Sequence, residues 1–173
     1  MTELDHTVLA LVARDGPLSA YDVRKDFAQS LTPSWSSSTG SIYPSIRRLA
    51  EAELIQLSEP EGARGKQQLT ITATGRVAVT KWLSTATIDT AAATPDPIRT
   101  RAHFLRLLSK AARRKFLADA RESTGAALAE AEQRTADRIA AGATKEEYLP
   151  GIGVVYELRS RRDWLELLTR ELT

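Results

Sequence analysis

SSSTGSIYPSIRRLAEAEL, Ser36 to Leu54, carries the signals of one amphipathic helix with an unusual outer face. Its start is rich in hydroxyls: Ser37, Ser38, Thr39 or Ser41 can cap free backbone N–H groups. Pro44 falls within or just past the first turn, where a missing N–H does least harm. Ile42, Ile46 and Leu49 recur at i, i+4 and i+7 and form one stripe for burial. Gly40, Ser41, Pro44, Arg47 and Arg48 turn away from that stripe, with Tyr43 on its flank. The outer face thus holds hydroxyls, an aromatic ring and two guanidinium groups, with no acid. Such a set suits phosphate oxygens and base edges. The alternative is an ordinary amphipathic helix with a solvated polar side.

Two helices precede this one. Leu4, Val8, Leu11 and Val12 share a face over residues 4–14, and Asp15-Gly16-Pro17 stops that helix. Ser19 to Asp22 reads S-x-x-D, a capping-box start for a second helix with Ala20, Val23, Phe27 and Leu31 as its stripe. A loop around Pro33 leads into the third helix, which makes a helix-turn-helix. After Leu54 the period changes to two. Ile55 and Leu57 alternate with Gln56 and Ser58, then Leu69 and Ile71 with Gln68, Thr70 and Thr72, around the turn-rich EPEGARG of residues 59–65. Three helices and then a hairpin make a winged helix. Arg64 and Lys66 fall at the hairpin tip, where a wing meets a groove or phosphates; the alternative is a basic tip that only aids solubility.

Thr72 or Thr74 caps a fourth helix bearing Val77, Ala78, Trp82 and Leu83. The small, hydroxyl-rich run that follows is a boundary, giving a winged-helix DNA-binding domain over 1–85, a linker over 86–96 and a helical dimerisation domain over 97–173. Asp96-Pro97 starts a helix on whose face Ile98, Leu105 and Leu108 lie together, with Phe104 beside them. Ser109 starts a long helix to about Ala141 with a narrow seam of Phe116, Leu117, Ala120, Leu128, Ala131 and Ile139. Gly142 ends it. T-K-E-E at Thr144 opens a last helix, with a kink or late start expected at Pro150, Gly151 and Gly153. Val154, Leu158, Leu165, Leu168 and Leu172 line its face. Two such antiparallel helices cannot bury all their apolar surface alone, so a second copy related by two-fold symmetry is expected.

Composition narrows the function. The 173 residues are 42% hydrophobic, enough for a real core. There is no cysteine, which excludes disulfides, thiolate nucleophiles and Cys-ligated metals. No apolar run approaches ~18 residues, and the N-terminus lacks a signal-peptide pattern, so a cytoplasmic protein without a membrane partner is expected. The net charge of +2 decides nothing. Residues 1–85 carry nine Lys/Arg and nine Asp/Glu, but no acid lies between Asp26 and Glu51 or between Glu61 and Asp89. Two acid-free surfaces bearing Arg47, Arg48, Arg64 and Lys66 follow from that segregation. His6 and His103 stand in no metal or triad spacing, and Gly151-x-Gly153 lacks the strand and third glycine of a dinucleotide site. No catalysis, cofactor or metal is expected.

At this point the chain resembles the PadR family of transcriptional regulators. The likeness rests on G-S-I-Y-P-S-I-R-R-L at Gly40 to Leu49, on G-K-Q-Q-L-T-I-T-A-T-G at Gly65 to Gly75, and on L-A-L-V-A-R-D-G-P-L-S-A-Y-D-V at Leu9 to Val23. Weaker echoes occur at Phe104 to Leu108 and at Tyr156 to Leu165. Leu69 stands where the family usually has an aromatic residue, and Ala20 where it often has glycine. The resemblance implies a winged-helix repressor, dimeric through its C-terminal helices, that binds palindromic operators. Carried over by position, Tyr43 and Arg47 touch DNA, Ser38 and Ser41 donate to phosphates, and Lys66 is the wing contact. Thr39, Pro44, Arg48 and Arg64 complete the expected DNA-binding set.

The mechanism to expect is a homodimer that sets two copies of the third helix in successive major grooves, about 34 Å apart. A small-molecule effector, aromatic in character, is a further reading. It would bind between the two parts or at the dimer interface, with Trp82, Tyr156 and Trp164 as candidate lining and core packing as their ordinary alternative. The rival class is a winged helix used only for protein contacts, which predicts an apolar outer face; Arg47 and Arg48 argue against it.

Overall fold

The computed structural model describes residues 1–29, 39–61, 65–87 and 91–173. Leu31, the expected loop around Pro33, the cap candidates Ser37 and Ser38, and Arg64 lie outside the described residues. The chain divides into two compact units, Met1–Ala92 and Ala93–Thr173.

The first unit opens with helix α1, Glu3–Asp15, begun by a reciprocal capping box between Thr2 and Asp5. Strand β1, Leu18–Ser19, follows, then helix α2, Ala20–Gln29. The S-x-x-D signal is realised: Asp22 accepts from the backbone N–H and hydroxyl of Ser19. Helix α3 is Thr39–Glu51, strand β2 Ile55–Leu57, strand β3 Gln68–Ile71, and helix α4 Ala73–Leu83. The expected hairpin is present and gains a third strand. The order is β1-β3-β2, all antiparallel, with Leu69 of the central strand opposite both Leu18 and Leu57. Two residues are too few to show alternation, so β1 left no periodic signal. Leu69 is buried at the core, which gathers Val8, Val12, Val23, Phe27, Ile42 and Leu49 around it. The wing's central strand is therefore anchored to the core by Leu69.

Helix α3 ends earlier than its pattern suggests. Leu54 N–H returns to the Leu49 carbonyl and Glu53 N–H to that of Ala50, the paired bonds of a Schellman turn. That turn needs a left-handed residue, and Glu53 supplies it at φ 56°. The helix also begins at Thr39, which puts Ser41 inside the first turn and not at its cap. Thr72 then ties three elements together. Its hydroxyl lies 2.8 Å from the Glu53 carbonyl and 3.0 Å from that of Leu54, and it accepts from Gly75 N–H at the start of α4. Gly75 comes so close to this turn that a Cβ there would meet the Leu54 carbonyl oxygen at 2.1 Å.

The second unit starts with helix α5, Pro97–Ala102, capped by Asp96, and a 3₁₀ turn, Leu105–Leu107. That turn breaks helical register, so Leu105 is buried while Phe104 and Leu108 are exposed and do not share its face. Helix α6, Lys110–Ala140, is capped by Ser109, and helix α7 is Lys145–Leu172. They run antiparallel: Arg113 near the start of α6 donates to the Leu172 carbonyl, and Arg159 pairs with Glu132. The last helix does not start late. Thr144 N–H bonds Glu147, and the helix continues through the proline. The buried seam of α6 is Leu117, Ala120, Thr124, Leu128, Ala131 and Thr135. Its spacing repeats after eleven residues, which keeps one face aligned along a long helix. Thr135 is accommodated because its hydroxyl bonds the Ala131 carbonyl. Phe116 is only half-buried and Ile139 is 48% exposed. Asp96 joins the start of α5 to α7 through Arg161 at 2.9 Å.

Two substitutions probe the turn between α3 and α4. Gly75→Ala is expected to destabilise the chain by about 2 kcal/mol, because the clash is with backbone. Glu53→Gly should raise stability by about 1 kcal/mol by relieving the left-handed side-chain strain. Thermal or denaturant unfolding checks both; equal midpoints for wild type and Gly75→Ala would contradict the close approach.

Candidate nucleic-acid interface

Helix α3 buries Ile42, Ser45, Ile46 and Leu49 and exposes Gly40, Ser41, Tyr43, Pro44, Arg47 and Arg48. Tyr43 is 61% exposed. Arg47 makes no hydrogen bond or ion pair among the described residues. Pro44 sits in the second turn, so the helix forgoes one backbone bond on its outer side.

Arg48 is different. Its Nη2 is 2.6 Å from Asp5 Oδ1 and its Nε 3.4 Å from Asp5 Oδ2. Asp5 comes from α1 and is buried; it also accepts from the Ser45 hydroxyl at 2.7 Å and the Thr2 backbone N–H at 2.8 Å. The acid-free outer face is therefore backed by a buried acid, brought from another helix. Burial pushes the Asp5 carboxyl up, but the hydrogen bonds from Arg48, Thr2 and Ser45 outweigh it and hold the group well below the carboxylate range. Arg48 is raised in turn, first by its bond to Asp5.

In the wing, Glu61 and Lys66 exchange two backbone bonds of 2.9 Å. Lys66 is exposed, but pairing has set Glu61 opposite it, so the wing is not acid-free. Chain separation hid this because the turn folds residue 61 back on residue 66. Asp22 is lowered first by the side chain and backbone of Ser19, with Lys66 and Lys25 adding to the effect.

Sequence reasoning overlooked two groups. Asp5 and Ser45 are polar residues inside apolar stripes, Asp5 in line with Val8 and Val12, Ser45 between Ile42 and Ile46. That misfit was the available signal. On α2, Tyr21, Arg24, Lys25 and Ala28 recur at i, i+3, i+4 and i+7 and are all exposed, an acid-free face on the first helix of the helix-turn-helix. Ser38 and Arg64 are outside the described residues. Thr39 opens α3.

The three aromatic residues considered for an effector have separate surroundings. Trp82 stacks on His6 at 5.3 Å and lies 3.3 Å from Glu3 Oε2. Trp164 packs with Leu105, Leu117 and Leu165. Tyr156 is exposed. His103 lies edge-on to Phe104. Among the described residues no group of three or more His, Asp or Glu could hold a metal, and no helix is long and apolar enough to cross a membrane.

Asp5 gives a pH prediction. Its folded pKa is depressed, so its contribution is full above the unfolded carboxylate value and is lost as pH falls below about 4. Asp5→Asn should cost about 3 kcal/mol at neutral pH and flatten the acid limb of the stability curve. Unfolding midpoints across pH would refute this if both proteins lost stability in parallel.

Residues 8–81 match the Transcriptional regulator PadR-like family. No curated protein matches by sequence. Among solved structures, Bacillus subtilis PadR in complex with operator DNA superposes with a TM-score of 0.84 at 21% identity, covering 99% of this chain and 100% of that one. The same protein in complex with p-coumaric acid gives 0.76 at 20% identity, over 99% and 98% of the two chains. The Vibrio cholerae virulence activator AphA gives 0.77 at 20% identity, over 98% of each chain. At these identities the structures establish a common fold along the whole chain. Through residues 8–81 the chain is thus similar to the PadR-like transcriptional regulators, and it shares the fold of solved PadR structures along its whole length.

Proposed function

We propose that this chain is a cytoplasmic repressor that binds a palindromic operator as a homodimer. One observation carries the reading: the outer face of α3 presents Tyr43 and Arg47 to solvent, and Arg47 has no described partner within the chain. Arg47 reads a base edge or phosphate, Tyr43 and Pro44 contact the groove wall, and Ser41 donates to a phosphate. Ser38, Thr39 and Arg64 extend that contact, and Lys66 adds the wing. Residues 1–85 act as the DNA-binding domain, 86–96 as linker and 97–173 as dimerisation domain. Dimerisation draws support from the second unit, where Phe104, Leu107, Leu149 and Tyr156 are apolar and exposed. Two copies then place their α3 helices about 34 Å apart.

Release by a small aromatic effector completes the proposal. Trp82, Tyr156 and Trp164 are the candidate contacts. Its support is the solved complex of Bacillus subtilis PadR with p-coumaric acid. An effector acts only through unequal affinity for two arrangements of the dimer. Repression is preferred on the family resemblance, although the fold also serves the activator AphA.

Enrichment of random duplexes on the purified protein should recover an inverted repeat, with half-sites about ten base pairs apart. Arg47→Ala should weaken binding to that repeat by about tenfold or more and leave unfolding unchanged. Sedimentation should give the dimer mass. A monomer, an asymmetric site, or wild-type affinity in Arg47→Ala would each overturn the part it tests.

A further inference from the structure

Arg48 is a DNA candidate by its exposed position, yet one edge of its guanidinium is already taken. Nε and Nη2 point at the two oxygens of Asp5, at 3.4 and 2.6 Å. Nη1 makes no hydrogen bond among the described residues, and the side chain is 48% exposed. Asp5 itself cannot swing. Its side chain is 3% exposed, and it is held by the Thr2 backbone in its own cap and by the buried Ser45 hydroxyl one turn from Arg48. A planar fork fixed along one edge by a rigid carboxylate has its other edge aimed in advance. Side-chain entropy that a free arginine would lose on binding has then been lost already on folding.

We propose that Asp5 is a positioning residue for DNA binding: by holding the Nε and Nη2 edge of Arg48, it presets the Nη1 edge on the outer face of α3 as a donor to a backbone phosphate. This deepens the DNA-binding reading and rests on it. The opposite role for Asp5 is also definable. An acid beside an arginine can withhold it from DNA, and then its removal adds one free positive charge to the face.

The two roles predict opposite signs. Binding is measured against salt with a labelled duplex carrying the enriched inverted repeat and with a scrambled duplex. Arg48→Gln should lose about tenfold in affinity on both duplexes and lower the salt slope by about one, as a phosphate contact does. Asp5→Asn raises the net charge by one, yet it should weaken binding by about fivefold, and the double variant should bind no more weakly than Arg48→Gln alone. Arg48→Lys keeps the charge but has no second edge to offer once its ammonium meets Asp5. It should bind as poorly as Arg48→Gln, and it keeps the test valid should Asp5→Asn fail to fold. Tighter binding with a steeper salt slope in Asp5→Asn would overturn the proposal, as would wild-type affinity in Arg48→Gln or Arg48→Lys. Failure of the wild type to bind either duplex would instead remove the DNA-binding reading itself.

Discussion

A carboxylate taken out of water must recover its hydrogen bonds inside the protein, or its burial costs several kcal/mol. Asp5 recovers them from three sources: the cap of its own helix, the Ser45 hydroxyl and the Arg48 guanidinium. Two of those lie on α3, one turn apart. Satisfying Asp5 therefore fixes the roll of α3 against α1, because Ser45 and Arg48 must both face the same point. Rotation of α3 by one residue would strand a buried charge. The same constraint sends Tyr43, Pro44 and Arg47 outward. A single acid on the first helix thus fixes the same roll of the third helix that its Ile42, Ile46 and Leu49 stripe favours.

The rest of the first unit holds the far end of α3 and hangs the wing from it. The Schellman turn at Glu53 ends the helix sharply enough for β2 to begin at Ile55. Thr72 grips the carbonyls of that turn with its hydroxyl and caps α4 with the same oxygen. Gly75 permits the approach. Leu69 anchors the central strand to the core, between Leu18 and Leu57. Helix, wing strand and closing helix are thus joined at one point by direct hydrogen bonds.

The second unit follows a different principle. Its long helices meet along a seam of small and medium side chains, Ala120, Thr124, Ala131 and Thr135 among them. Small side chains allow close approach but bury little area per residue. Leu117 and Leu165 supply most of the apolar bulk at one end, and Leu128 and Val155 at the other. Apolar side chains such as Leu107 and Leu149 remain outside. Such a pair leaves part of its apolar surface uncovered within its own unit.

Much of this was legible in the residues. Element order, the capping boxes at Ser19 and Thr144, the helix starts at Asp96 and Ser109, and the buried stripe of Ile42, Ile46 and Leu49 are local or periodic features, and local features survive in a linear string. The exposure of Tyr43 and Arg47 followed from the same periodicity. What the string could not carry was anything made by two distant segments. The pairing of Asp5 with Arg48 spans 43 residues, β1 exists only because β3 lies beside it, and Glu61 meets Lys66 only through the turn. Ile139 has the right period for the seam and is nonetheless exposed, which period alone could not show. Sequence alone settled the main helices and the two hairpin strands, because backbone preference and hydrophobic period act over a few residues. Tertiary structure alone settled which arginine is tied to Asp5 and which makes no bond among the described residues, because the strength of a charge pair depends on distance in space and on the water excluded around it.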